Sequence, residues 1–293
     1  MVVRRLGPPR SRWLGALLAR ALETRGAGFG LVVVAVVLLV ALGADVIAPY
    51  DPNRPQDAGV LAAPRPAHLL GTDQLGRDVL SRIIYGTRTS VQAGVVSVGF
   101  ALLAGVLLGM LAGYHGGWLD DVLMLLIDAL WSFPTLVLAL AIAASLGPGL
   151  TNAMLAIGIV FTPVFARLVR GQTLSVRERD FVAAARALGA TPGRIMLLHV
   201  WPNVIAPIVV QASLLVASAI VVEAALSFLG LGIEPPASSW GSMLKAGYQY
   251  MQQAPWLSFA PGAAIFVTVL AFNLLGDGLR RGLDPRLWQR GES

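Results

Sequence analysis

Cysteine is absent from this sequence, which excludes disulfides and thiolate metal sites. Histidine is nearly absent too, and His68, His115 and His199 stand far apart, so no metal cluster is expected. There is one lysine, Lys245, and Leu244 precedes it. A phosphate-binding loop needs Gly-Lys-Ser or Gly-Lys-Thr after a glycine-rich turn, so this chain cannot bind a nucleotide in that way. Nor is there a His-Glu-x-x-His or a Gly-x-Ser-x-Gly placed for hydrolysis. Charge of either sign is scarce, at 13% of 293 residues, while 56% are hydrophobic, which excludes an ordinary soluble globule of this size.

Long apolar runs are what the chain has instead. Residues 27–44 carry no charge and include the run Val32 to Val40. At ~1.5 Å per residue they cover most of a ~30 Å hydrocarbon core. The 18-residue core exceeds the ~7–15 of a secretory signal, so a retained anchor is expected rather than a cleaved leader. Comparable runs near 91–113, 122–146, 152–168, 204–226 and 261–276 predict an all-α polytopic membrane protein with six transmembrane helices.

Arginine placement predicts the orientation, because cytoplasmic segments retain positive charge on insertion. Of 22 cationic residues, six precede residue 26, six lie from Arg167 to Arg194, and four follow from Arg280 onward. Six spans with both termini cytoplasmic put all three groups inside and leave 45–90 and 227–260 outside. The net charge of +6 is then topological and gives no reason to expect a nucleic-acid partner.

Between the fourth and fifth spans lies a polar helical hairpin. Phe181, Ala184, Ala185 and Leu188 fall at i, i+3, i+4 and i+7 and make one apolar stripe. Arg179, Ala183 and Arg186 occupy the other side. Ser175 and Glu178 read as a capping box, Gly189 as the left-handed residue ending the helix, and Thr191-Pro192 as the start of a second helix. The stripe is low in relief and suits either a partner's cleft or the chain's own helix ends.

Within the membrane, Gly105, Gly109 and Gly113 repeat at four-residue spacing, which permits close helix approach. Asp128, Trp131, Ser132 and Thr135 are expected on one helical face beside Pro134, which can kink the third span. A carboxylate at bilayer depth costs ~2.5–3.5 kcal/mol on insertion scales, so Asp128 should face the bundle interior or water. Asp128, Ser132, Glu223 and Asn273 are the candidate translocation-path residues, each open to the reading that it only ties helices together. The glycines, aspartates and arginines from Gly71 to Arg88 suit a compact turn whose charges pair locally.

The Ala184-Ala185, Gly189 and Pro202 pattern resembles the EAA loop of permease subunits in ATP-binding-cassette importers, with Ala183 where that motif has its glutamate. His68-Leu69-Leu70-Gly71-Thr72-Asp73 through Arg82, Leu226-Ser227-Phe228-Leu229-Gly230 with Pro235-Pro236 and Trp240-Gly241, and Asn273 through Arg280 with Leu283-Asp284-Pro285-Arg286 are similar to the dipeptide, oligopeptide and nickel permease family. The single span before a long outer segment resembles the second, or C-type, permease subunit.

The resemblance implies a type I importer permease fold with a cytoplasmic coupling hairpin. It divides the chain into a cytoplasmic tail (1–26), a first transmembrane helix (27–48), an outer segment (49–87), a permease domain (88–280, with the hairpin at about 172–203) and a second cytoplasmic tail (281–293). It implies a subunit that is no enzyme and binds no cofactor itself, with ATP and magnesium held by partner ATPase subunits. The implied partners are a second homologous permease, two ATPase subunits and an extracytoplasmic solute-binding protein in a bacterial inner membrane. Coupling would rest on Phe181, Ala184, Ala185, Leu188, Gly189 and Pro202. Peptides are the expected solute, with nickel chelates, glutathione or another small solute of the same family, sugars included, as alternatives. The competing class is an ion-coupled secondary transporter using Asp128 or Glu223, which predicts inverted repeats that the sequence does not display.

Overall fold

The computed structural model describes residues 25–283. The chain folds as helices α1 (Arg25–Leu42), α2 (Ala44–Ile47), α3 (Val79–His115), α4 (Gly117–Trp131), α5 (Thr135–Leu146), α6 (Leu150–Arg177), α7 (Asp180–Ala187), α8 (Pro192–Leu229), α9 (Trp240–Gln249) and α10 (Trp256–Leu283). Among the described residues there is no strand, only isolated bridges within 55–78. The tails at 1–24 and 284–293 lie outside the described residues, as does the Asp284-Pro285-Arg286 part of the C-terminal pattern.

By length and composition, α3, α6, α8 and α10 can each cross a membrane. The predicted third span, 122–146, is not one helix. It is α4 and α5, bent by 93° where Ser132, Phe133 and Pro134 interrupt the helical ladder, and it makes a fifth crossing if the pair counts as one span. Asp128 and Trp131 therefore sit on one helix and Thr135 on another, so the single four-residue face does not form. Pro134 explains the position of the break, since a proline disfavours helical backbone at the residue before it and supplies no N–H. The first predicted span, 27–48, also divides, with α1 stopping at Leu42 and the short α2 following Gly43; the described apolar helix, Gly26–Leu42, is shorter than the other spans.

The bundle is built around α3 lying along α6. Gly105, Gly109 and Gly113 face α6 so closely that a Cβ on Gly105 would stand 2.5 Å from Cβ of Phe165, and one on Gly113 would stand 2.8 Å from the carbonyl of Arg170. The small-residue spacing thus sets the helix–helix distance. On the other side, α8 packs on both α3 and α10, and α1 packs on α10, where Gly30 meets the backbone of Ala271 and Leu275. The core joins Ile157, Phe161 and Phe165 of α6 to Val98 and Val106 of α3 and to Ile208, Leu215 and Ile220 of α8.

Residues 49–78 fold over one end of this bundle as an irregular, hydrogen-bonded cap. Asp73 accepts from the Arg77 guanidinium at 2.8 Å, and Arg82 approaches the same carboxylate at 3.4 Å. Asp78 caps α3 by accepting from the Ser81 N–H at 2.8 Å, and His68 Nδ1 lies 2.9 Å from its other oxygen. Local charge pairing was the sequence expectation for this segment, and these contacts are of that kind. Its fold continues across to α9, where the buried Trp240 donates from Nε1 to the carbonyl of Ile83 at 3.2 Å.

Candidate functional site: an exposed hairpin and a charged seam

Helix α7 begins at Asp180, and α6 runs unbroken to Arg177. Ser175 therefore lies inside α6 and Glu178 at its end, so the expected capping box does not form. Arg179 takes the N-cap place without a side-chain cap. Gly189 adopts φ +80°, the left-handed conformation expected of it, and its N–H bonds to the carbonyl of Arg186 at 3.0 Å. Thr191 precedes Pro192 at the start of α8, again without a side-chain cap. Met196–Val200 forms one π-helical stretch before the helix continues through Pro202.

The two sides of α7 are sharply different. Val182, which sequence periodicity did not single out, is fully buried and joins the core cluster with Val176, Ile195 and Val200. Phe181, Ala184 and Leu188 are exposed, Leu188 by 89%, and Ala185 is half-buried. Phe181 leans toward His199 with ring centroids 6.3 Å apart. The apolar stripe is thus not consumed by the chain's own helix ends. One side anchors the hairpin and the other is left free.

Next to the hairpin, arginines of α6 fasten the neighbouring helices. Arg177 donates to the carbonyls of Gly113 and Tyr114 at 2.8 and 3.3 Å. Arg170 donates from Nε and Nη2 to the two oxygens of Asp120, at 2.5 and 2.6 Å. Arg167 donates once to Asp128, at 2.6 Å, and its guanidinium lies 4.8 Å from the ring centre of Trp131. Sequence reasoning counted these arginines for topology alone; the spacing of Arg167 and Arg170 on α6 and of Asp120 and Asp128 on α4 was the available signal.

The four expected path residues are not brought together. Asp128 and Ser132 are exposed near the α4–α5 break, where Ser132 Oγ donates back to the carbonyl of Ala129 at 2.7 Å. Asn273 is exposed on α10. Glu223 has no exposed surface: Ser90 donates to Oε2 at 3.2 Å and Ser227 to Oε1 at 2.7 Å, at the junction of α3, α8 and α9. At the capped end, a cavity of about 390 Å³ is lined by Asp73, Arg77, Glu234 and Lys245 among others.

Residues 105–289 match the family described as "Binding-protein-dependent transport system inner membrane component", and residues 12–64 match the "N-terminal TM domain of oligopeptide transport permease C". The chain belongs to this permease family. It is 44% identical over 258 residues to the dipeptide transport system permease protein DppC of Alkalihalophilus pseudofirmus, covering 88% of this chain and 85% of that one. It is 45% identical over 271 residues to the di/tripeptide transport system permease protein DppC of Pseudomonas aeruginosa, covering 90% and 89%. It is also 45% identical over 255 residues to the glutathione transport system permease protein GsiD of Pectobacterium atrosepticum, covering 86% and 85%. In fold, the permease is similar to a chain of the inward-facing MetNI methionine ABC transporter, with a TM-score of 0.58 at 19% identity over 70% of this chain and 98% of that one. The protein is accordingly a multi-pass inner-membrane permease subunit of an ATP-binding-cassette importer and not an enzyme. The family implies ATPase, permease and binding-protein partners.

Proposed function

We propose that this permease forms half of a translocation pathway for di- or oligopeptides and receives its mechanical input through α7. The observation that carries the reading is the exposed stripe of Phe181, Ala184 and Leu188 beside a buried Val182. Such a helix is held firmly by the bundle yet offers an apolar surface to a cleft. Two separate ATPase subunits, holding ATP and magnesium, would close and displace α7 together with its counterpart on a second, homologous permease. Because α7 connects α6 to α8 through the Gly189 bend and Pro202, its displacement would tilt both long helices and convert the pathway from inward-open to outward-open. Hydrolysis would reset it.

Ala183 leaves this contact without the carboxylate of related loops, so docking rests on shape rather than charge. Both chain termini and the hairpin are assigned to the cytoplasmic side, which the arginine distribution supports. The cap at 49–78 and α9 would then face the solute-binding protein.

Asp128, Ser132 and Asn273 are exposed within this chain and are our candidates for the pathway. Glu223 is assigned to holding α3, α8 and α9 together, because its carboxylate is enclosed by two serines. That assignment also disfavours an ion-coupled mechanism through Glu223. Peptide import is preferred from the dipeptide-named relatives; the equal identity to a glutathione permease favours the tripeptide glutathione as the second reading.

The test is uptake into liposomes holding the permease with its partner permease, ATPases and binding protein. ATP-dependent uptake of a labelled dipeptide is expected, abolished when the ATPases are inactivated. Proton-driven uptake by this chain alone would refute the reading.

A further inference from the structure

The pair Asp128–Arg167 is built differently from its neighbours in the seam. Arg170 engages both oxygens of Asp120 and already fastens α4 to α6, and Arg177 spends Nη1 on two backbone carbonyls and Nε on the Glu178 carboxylate. Among the described residues, Arg167 spends a single N–H on Asp128, and Asp128 a single oxygen in return. The remaining donors of the guanidinium fork and the second carboxylate oxygen are unspent. The two side chains are 42% and 56% exposed, in a recess of about 430 Å³ shared with Met124 and Arg170.

The recess is mixed on its α4 side and polar on its α6 side. On α4, Trp118, Asp121, Leu125 and Asp128 follow one another at three- and four-residue steps, so the two carboxylates share an exposed edge with apolar side chains, and Val122 and Leu126 lie to one side of it. On α6, Arg167, Gly171 and Ser175 repeat at four-residue spacing and are all exposed. These two edges meet at the pair. Arg167 lies ten residues from Arg177, ~15 Å along α6 from that end, at the inner margin of the apolar run 152–168.

We propose that Asp128, Arg167 and Trp131 form a station for the two charged termini of a zwitterionic peptide in transit. The guanidinium fork would take the terminal carboxylate, a geometry that two parallel N–H groups match, and Asp128 would take the terminal ammonium. The resident pair closes on itself when the station is empty. An exposed ion pair of this kind contributes little and exchanges readily, which suits a site that must also release. The Trp131 ring keeps the guanidinium in place when Asp128 lets go of it. This rests on the peptide reading above and adds the chemistry by which the pathway would recognise that class.

Because the chain has no cysteine, Met124→Cys places its only thiol in the recess. In the fully assembled importer, alkylation of this chain by a water-soluble maleimide is followed by intact mass, with dialanine, N-acetyl-dialanine or dialanine amide present. Dialanine should slow alkylation at least ~3-fold, the two blocked forms should not, and Arg167→Lys should remove the protection. No protection by dialanine, or equal protection by all three, overturns the station. Dialanine uptake by the same importer is measured alongside: uptake without protection sinks the station alone, and no uptake sinks the peptide reading itself.

Discussion

Arg170 of α6 grips both oxygens of Asp120, at 2.5 and 2.6 Å, and so fixes the first half of the bent span to the central helix. The pair sits at the start of α4, immediately after the Gly116-Gly117 turn that reverses the chain from α3. Arg177 adds a hold on the last turn of α3 itself. The three helices that bound the hairpin's entrance are thereby joined by one row of arginines.

Removing one partner leaves the other charge in a partly enclosed site. Asp120→Ala should lower the stability of the purified complex by about 1–2 kcal/mol, less than a fully buried pair because Arg170 keeps about a third of its exposure. The reversed pair, Asp120→Arg with Arg170→Asp, should recover much of the loss. Thermal unfolding followed by size-exclusion of the heated complex reads both. An unchanged melting point for Asp120→Ala would show that the grip is not structural.

The α3–α6 contact depends on the absence of side chains at three glycines. Gly109→Leu would drive a branched side chain into Val169 and the backbone of Arg170, where a Cβ alone would stand 2.9 and 3.0 Å away. Overpacking of this kind costs about 1–3 kcal/mol and more where backbone must move. Loss of assembled permease in the membrane is expected, while Gly171→Ala, which has open space around it, should assemble normally. Immunodetection of the co-purified complex decides.

Glu223 separates packing from transport. Glutamine fits the same enclosure, with one serine hydroxyl still donating to its carbonyl oxygen and the other rotated to accept from its NH2, so Glu223→Gln should assemble and transport within about 2-fold of the parent. Glu223→Ala would leave a void and strand two serines, at a cost of about 2–4 kcal/mol. If Glu223→Gln abolished uptake while leaving the complex intact, the carboxylate would have a role in the pathway.

Gly189 allows a test of the bend without a packing change. Nothing lies within 4 Å of the position its Cβ would take, so a substitution acts through backbone conformation and the exposed surface alone. At φ +80° a side chain is disfavoured by about 1 kcal/mol or more. Gly189→Asp should insert and fold but lose at least ~10-fold of ATP-driven uptake. Normal uptake would remove the bend from the coupling account.

The apolar runs made the long helices legible, because span length and hydrocarbon thickness are tied by helix geometry. The hairpin was legible for a similar reason: its stripe and Gly189 carry local backbone rules. The 93° angle between α4 and α5 was not. Pro134 marks where a helix stops, but the direction of the next one depends on what α6 and α8 offer it to pack against. Ser175 and Glu178 carried a capping signature that α6 overrode by continuing two residues past it. The arginine seam was missed because Arg167 and Arg170 serve insertion topology and pairing at once, and only the first is visible as a count. Val182 escaped because the stripe beside it on α7 is the more regular one.

The central claim is that the free side of α7 is where the ATPase docks. Leu188→Cys supplies a unique thiol on that side, and Trp118→Cys supplies one at an exposed position of α4 as the control. Each is alkylated in the permease pair alone and in the complete complex with its ATPases. Labelling at position 188 should fall at least ~10-fold on ATPase assembly, with position 118 unchanged; equal labelling at 188 in both states would contradict the account.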